Sequence, residues 1–310
     1  GIVEPLHDWE GKAASHPELL DWLATELVKN GYDQKHLIAL IMKSELYARP
    51  AVGKNLQVEP TRRFFLAPDR RRLQAEQVVD SLYAASGLVM DVEELTFDPD
   101  GRRPAKTMIS LGHPRRAWEF TSLSNERDRP SLALPRAQAV SDVLKAFGWS
   151  GSRQGPVYQR DLAPNVLQPG ALANGTLSTW VTRASDGSPL ADLAVGAGSL
   201  DELIDSLFLR FLTRYPDSAE RQVATRVLAD GFEGRVLPAD QIVPNEPPQP
   251  LQRVSWTNHL HKDANRLKIV MEQRARDGAP PDPRLRAGWR ERYEDLVWSL
   301  INSPEFIWIP

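Results

Sequence analysis

The 310-residue sequence contains no cysteine, and this absence excludes several kinds of site. Without thiols the chain cannot form disulfides, thiolate metal sites or a cysteine nucleophile, and it cannot attach haem covalently through a C-x-x-C-H motif. The absence of cysteine does not determine the cellular compartment, because exported proteins with large cores can fold without disulfides. We predict no cofactor within this chain.

Long apolar runs and a strong charge imbalance are also missing. No stretch approaches the roughly 18 apolar residues that a membrane-spanning helix needs. The opening residues 1–5 lack the basic start and apolar centre of a signal peptide, so we expect either a processed start or a fragment of a longer protein. A net charge of −3 gives no concentrated basic face for nucleic acid. We therefore predict neither a membrane span nor a nucleic-acid partner.

What the sequence does contain is apolar residues at helical spacing near its start. Ser15 and Glu18 form a capping-box pattern ahead of one helix, which Gly31 ends. Asp33 can cap the next helix. A third is predicted from about 71 to 86, with Gly87 as its stop. These patterns make residues 1–87 an N-terminal helical segment.

The C-terminal third has the same helical character. From Ser199 an apolar stripe holds the helical period for more than three turns, with Glu202 completing a capping box. Asp217 with Glu220 predicts the start of the next helix. Because each helix has one apolar stripe and cannot bury it alone, we predict that residues 199–310 pack with the N-terminal helices into one composite, mainly α domain.

The middle segment, residues 88–198, is broken by proline and glycine and is predicted to be rich in loops. Residues 92–97 and 106–111 could form short strands. Trp118, Trp149 and Trp180 fall here; each could stack on a sugar, although core packing is the commoner role of tryptophan. Binding residues concentrate in loops, so a site is expected in this segment.

The candidate ligand-binding residues are polar side chains in and near this segment. Arg160 and Asp161 stand side by side, and Asn174 follows; together they could orient hydroxyl or carboxylate groups of a ligand. Glu76 joins them in the hypothesis of an enzyme. The same residues could instead satisfy backbone groups in an irregular segment, and the sequence leaves both interpretations open.

A weaker candidate is a metal site at the predicted helix near residue 260. His259 and Asp263 lie four residues apart on one helical face and are ligand types that zinc or iron binds. His261 points elsewhere in a regular helix, and no third ligand can be named. Polar residues of a first helical turn are the simpler interpretation, so His259 and Asp263 are kept only as weak candidates for metal ligands.

Several sequence blocks share one resemblance. They are the segments at 15–24, 32–47, 71–76 with 86–87, 159–175, 254–260, and 289–296 with 303–306. In this order and spacing they resemble a planctomycete cytochrome-associated C-terminal domain family of unknown function, number 1553 in its series. The resemblance extends over nearly the whole chain.

The resemblance implies an exported protein, periplasmic or at the cell surface, with several domains. An upstream domain of the same precursor would be its partner, as would a cytochrome c-like module carrying haem c outside this chain. Two hypotheses for function follow. One is a non-catalytic module in a protein that handles polysaccharides or electrons, and the other is a carbohydrate-active enzyme with its site in the 159–174 loop.

Overall fold

A computed structural model describes residues 2–3, 8–49, 71–97, 109–124, 132–151, 163–247, 249 and 262–309. The described chain is mainly α, with a few short strands, which confirms the fold class expected from the sequence. It divides into two compact units. Unit 1 comprises Gly1–Arg71 with Trp308–Pro310, and unit 2 comprises Arg72–Ile307.

Unit 1 contains a pair of helices, α1 (Pro17–Lys29) and α2 (Gln34–Met42). Asp33 caps α2 as predicted, since its carboxylate accepts the N–H groups of Lys35 at 2.9 Å and His36 at 3.1 Å. The His36 ring also reaches Glu26 of α1 at 3.2 Å. Neither helix contains a buried residue, so both apolar stripes remain at least partly exposed.

The capping box predicted at Ser15 does not form. His16 occupies the N-cap position of α1 without a side-chain hydrogen bond, and the Ser15 hydroxyl donates instead to the Ile2 carbonyl at 3.1 Å. Pro17, placed in the first turn, has no N–H that would need a cap there.

Unit 2 is built around α3 (Ala75–Ser86), which packs against four other helices. Ala75, Val78, Val79 and Leu82 are completely buried on this helix. Burial of each valine or leucine side chain among them contributes about 1.5–3 kcal/mol to folding. The helix ends at Gly87 in the left-handed conformation, as predicted.

The start of α3 differs from the prediction by four residues. Arg71–Arg72 form the short strand β1, and the Leu73 N–H donates to the Ile307 carbonyl at 2.8 Å, which holds this segment extended. The Gln74 N–H then donates to the Gln77 side chain at 2.9 Å, half of a capping box that starts the helix at Ala75.

The middle third holds more helix than its prolines and glycines suggested. The expected short strands are β2 (Leu95–Phe97) and β3 (Ile109–Gly112), paired antiparallel with Phe97 opposite Ile109. Five helices also occur in its described part: α4 (Ala117–Leu123), α5 (Pro135–Ala146), α6 (Leu167–Asn174), α7 (Thr176–Thr182) and α8 (Pro189–Gly196). Most have eight residues or fewer, too short for a clear period.

The C-terminal helices follow the sequence prediction closely. They are α9 (Leu200–Leu212), α10 (Ser218–Leu228), α11 (Ala264–Asp277) and α12 (Ala287–Ile301), followed by β4 (Trp308–Ile309). Asp217 and Glu220 form the predicted capping box of α10. At α9, Ser199 caps the Glu202 N–H, but the Glu202 carboxylate accepts from Gly198 instead of completing a box.

The α9 stripe is buried as its period predicts. Leu203, Ile204 and Leu207 are completely buried, and Phe208 is only 4% exposed. Helix α9 packs on α3, α10 and α12. None of the described helices has the length and apolarity needed to cross a membrane. Whether α1 and α2 share one body with the C-terminal helices stays a prediction.

Candidate ligand-binding groove

An open groove with a volume of about 400 Å³ lies in unit 2, where the ends of several helices meet. This volume suits a small ligand. Its walls come from the end of α3, the start of α5, the loop between α7 and α8, and the end of α11. The lining residues are Tyr83, Gly87, Leu88, Val89, Asp91, Arg136, Trp180, Ser185, Asp186, Gly187, Ser188, Pro189, Arg274, Ala275, Gly278 and Ala279.

The contact between α3 and α8 depends on a glycine. Gly87 has φ +74°, and a Cβ atom there would lie 2.7 Å from Cβ of Pro189 and 2.9 Å from its Cγ. Only glycine combines this backbone conformation with so close an approach. The end of α3 is therefore fixed directly against the first turn of α8.

The loop before α8 is held on both sides. The Asp186 N–H donates to the Pro280 carbonyl at 2.9 Å, and the Gly187 N–H donates to the buried Asp282 carboxylate at 3.3 Å. The Ser188 hydroxyl caps α8 by accepting the Ala191 N–H at 3.2 Å. These bonds keep the loop's polar groups at one edge of the groove without the help of a ligand.

Trp180 joins α7 to the end of α11. Its indole N–H donates to the Ala275 carbonyl at 2.6 Å. Gly278 has φ +66°, and a Cβ atom there would lie 2.8 Å from Cδ1 of Trp180, so α11 can end against the ring only at a glycine. The indole is thus fixed in the groove wall at two points.

Charged side chains of both signs line the groove. Arg136 forms an ion pair with Asp91, and 49% and 66% of these side chains are exposed, respectively. Asp186 accepts a hydrogen bond from the Asn245 amide at 2.9 Å. Arg274 donates to the Gln249 carbonyl at 2.5 Å. Two carboxylates and two guanidinium groups therefore cancel in formal charge, and each retains further hydrogen-bonding capacity.

The start of α5 places Arg136 in the groove. The N-cap residue, Leu134, has no side-chain acceptor. Glu93 substitutes for it, since its carboxylate accepts the N–H groups of Arg136 at 3.0 Å and of Ala137 at 2.8 Å. A residue more than 40 positions earlier in the chain thus performs the cap.

Two half-buried carboxyl groups of unit 2 bind backbone outside the groove. Burial raises the pKa of Asp80, whose carboxylate accepts the Ala117 N–H at 2.7 Å and holds the start of α4. Burial also raises the pKa of Glu294, which accepts the Ala184 N–H at 3.0 Å. Neither residue lines the groove. Their geometry indicates that they position backbone rather than ligand.

The ligand-binding candidates from the sequence do not meet in this groove. Arg160 and Asp161 lie outside the described residues. Asn174 is exposed as the last residue of α6, and Glu76 lies half-buried in the first turn of α3, at the opposite end from the groove. As ligand-binding residues all four stay predictions.

The weak metal candidate is only partly placed. His259 and His261 lie outside the described residues. Asp263 is the N-cap residue of α11, 3.7 Å from Arg266. Within the described ranges, no group of three or more His, Asp or Glu side chains is arranged to hold a metal ion.

The three tryptophans of the middle third differ in their surroundings. Trp149 is a core residue, 2% exposed and packed edge-to-face on Phe120 at 5.9 Å between ring centroids. Trp118 is 55% exposed. Trp180, which the sequence analysis named as a possible stacking residue, lines the groove. The other groove residues were missed, and of these only Gly87 had a local signal, as a helix stop.

Comparison with known proteins gives one family. The family model described as "PSD1: Protein of unknown function (DUF1553)" matches residues 1–228. This match confirms the resemblance seen in the sequence blocks, although the blocks at 254–260 and 289–296 lie beyond it. No curated protein and no solved structure matches the chain.

Proposed function

Since the chain belongs to the PSD1 family of proteins of unknown function (DUF1553), we propose that it is a non-catalytic binding module of an exported multidomain protein. The groove of unit 2 binds a neutral saccharide. An upstream domain of the same precursor and a cytochrome c-like module with haem c are its partners. Haem is attached in that other module, because this chain has no cysteine.

The balance of charge in the groove carries this proposal. Asp91 and Asp186 offer acceptors, while Arg136 and Arg274 offer donors, and their formal charges cancel. An anion or a cation would gain from one pair and be opposed by the other. A saccharide has no net charge, and each of its hydroxyl groups both donates and accepts, so it can use both pairs.

The apolar part of the groove supports the same ligand class. Trp180 lines it together with Leu88 and Pro189. The C–H face of a sugar ring can pack on an indole, and an indole already fixed by Ala275 and Gly278 loses little rotamer freedom on binding. Mixed apolar and polar walls of this kind are usual for ligand sites.

Binding is favoured over glycoside hydrolysis by the way the acids are used. A general acid in that reaction has a raised pKa and faces the substrate. Asp80 and Glu294 have raised pKa values through burial, but each holds a backbone N–H away from the groove. Asp91 and Asp186 are held by Arg136 and Asn245.

Affinity electrophoresis in gels containing neutral polysaccharides, with alginate as an anionic comparison, tests the proposal. We expect retardation by a neutral polysaccharide, and calorimetry with its oligosaccharides then gives Kd. Arg136→Gln and Asp186→Asn should each raise Kd about tenfold or more, as loss of a charge-assisted hydrogen bond does.

Arg221→Gln is the matched control, because Arg221 forms an ion pair with Asp205 on α9 and does not line the groove. Its Kd should equal that of the wild type. Binding to alginate alone, or equal losses in all three variants, would contradict the proposal. Release of reducing sugar by the wild type would favour the carbohydrate-active enzyme instead.

Export and the haem partner are tested on the native full-length protein. Cell fractionation should recover it outside the cytoplasm, and its absorbance spectrum should contain the Soret band of haem c. Recovery in the cytoplasm without haem would contradict this part of the proposal and leave saccharide binding unaffected.

A further inference from the structure

The hydroxyl of Tyr83 is a buried polar group with no hydrogen-bond partner in the described part of the chain. The residue is only 7% exposed, yet it lines the groove. A buried hydroxyl without a partner is unfavourable, and most such groups in folded proteins are satisfied by protein or by water. This one therefore needs an explanation.

Tyr293 shows how the same fold treats a tyrosine with a structural role. It is completely buried, and its hydroxyl donates to the Leu190 carbonyl at 3.0 Å. Tyr83 has comparable burial but no such acceptor among the described residues. The difference between the two residues is that Tyr83 lies at the groove.

The surroundings of Tyr83 favour the protonated phenol, which can donate a hydrogen bond. Burial raises the pKa of its phenol, and the negative charge of Asp91 raises it further, against the opposing effect of Arg136. The phenol therefore keeps its proton at neutral pH. Asp91 and Arg136, the two charged groups that act on it, both line the groove and are about half exposed.

We propose that Tyr83 is a specificity-determining residue whose hydroxyl binds one hydroxyl group of the saccharide, beside Asp91 and Arg136. This inference rests on the proposed function. A sugar hydroxyl in this position accepts from Tyr83 and donates to Asp91, so it satisfies both groups at once. A ligand that lacks this hydroxyl leaves the phenol unpaired, which is how buried polar groups discriminate between similar ligands.

The test is Tyr83→Phe, which removes one oxygen atom and keeps the ring. Saccharide Kd, measured by calorimetry with the neutral oligosaccharide that binds the wild type best, should rise about threefold to tenfold, the usual effect of one neutral hydrogen bond. The melting temperature should stay the same or rise, because the variant no longer buries an unpaired hydroxyl.

Tyr293→Phe is the matched control. It loses the bond to Leu190, so its melting temperature should fall while Kd stays at the wild-type value. A second measurement uses saturation-transfer NMR with methyl glycosides and their monodeoxy analogues. The wild type should discriminate against one deoxy position, and Tyr83→Phe should lose that discrimination alone.

The outcomes separate the two proposals. If no neutral saccharide binds the wild type, the proposed function and this inference both fail. If the wild type binds but Tyr83→Phe binds equally well, with the same deoxy profile, only the role of Tyr83 is overturned. A clear fall in the melting temperature of Tyr83→Phe would also overturn it, because the hydroxyl would then be bonded within the protein.

Discussion

Gly87→Ala should destabilise unit 2 by more than its backbone conformation alone explains. The added methyl group meets two penalties. An L-residue in the left-handed region costs about 1–2 kcal/mol. The new Cβ would also lie 2.7 Å from Cβ of Pro189, a ring held in the first turn of α8, so α3 and α8 must move apart. Overpacking of this kind costs about 1–3 kcal/mol more.

Comparison with Gly231→Ala separates the steric penalty at Pro189 from the penalty of the left-handed backbone conformation. Gly231 has φ +76°, close to that of Gly87, but a Cβ atom there would find its nearest neighbour, Arg292, at an ordinary 3.8 Å. We expect Gly231→Ala to lower the free energy of unfolding by about 1–2 kcal/mol and Gly87→Ala by about 2–5 kcal/mol.

Urea unfolding followed by far-ultraviolet circular dichroism measures both variants, and equal m-values permit direct comparison. Since Gly87 lines the groove, its variant should also bind saccharide more weakly, whereas Gly231→Ala should bind as the wild type does. If the two free energies agree within about 0.5 kcal/mol, the contact with Pro189 is not as tight as the structure places it.

Two further predictions concern the core and the acid response. Phe208→Ala should lower the free energy of unfolding by about 3–5 kcal/mol, as truncation of a buried aromatic does, whereas Val223→Ala, at a 56% exposed position, should change it by less than about 0.5 kcal/mol. The Asp282 carboxyl is buried, which alone would raise its pKa, but hydrogen bonds from Arg284 and the Gly187 N–H lower the pKa overall. Its stabilising effect is therefore present above the unfolded-state pKa near 4 and lost as pH falls through the lower folded-state pKa. Asp282→Asn should cost about 1.5–3 kcal/mol at pH 7, the usual contribution of a hydrogen bond to a charged group. Urea unfolding at a series of pH values should show its difference from wild type shrinking below about pH 4; a constant difference would contradict this.

The sequence predicted those helices whose capping residue or apolar stripe lies within the helix or directly before it. Asp33 and Asp217 cap the helices they were expected to cap, and the α9 stripe is buried. These signals are local, because a cap satisfies N–H groups within a few residues and a stripe repeats within one element. At α5 the cap is Glu93, distant in sequence, and Pro135 gave no comparable signal on its own.

A local pattern also does not show which neighbouring element an apolar stripe packs against. The period of α1 placed Leu23 and Leu27 on one face, yet no residue of that helix is buried. The apolar residues of α3 repeat no more regularly than those of α1, yet Val78 and Leu82 are completely buried. Burial depends on the neighbours that the fold supplies, which a single-element pattern does not contain.

The groove was beyond sequence reasoning for a related reason. Its polar residues come from separate helix ends, between Tyr83 and Arg274, and no two of the charged ones are neighbours in the chain. Each of the four charged residues alone would be an ordinary exposed residue. The sequence pattern favours adjacent polar residues such as Arg160 and Asp161, whereas convergence of distant elements creates this candidate site.

The contacts that assemble the groove also determine how binding data should be interpreted. Gly87 fixes α3 against α8, Trp180 fixes α7 against α11, and Asp282 holds the loop that carries Asp186. These contacts exist without a ligand, so binding needs little ordering of the backbone. A change in Kd for Arg136→Gln or Tyr83→Phe at unchanged melting temperature therefore measures a lost ligand contact. A change in Kd for Gly87→Ala measures displacement of the walls.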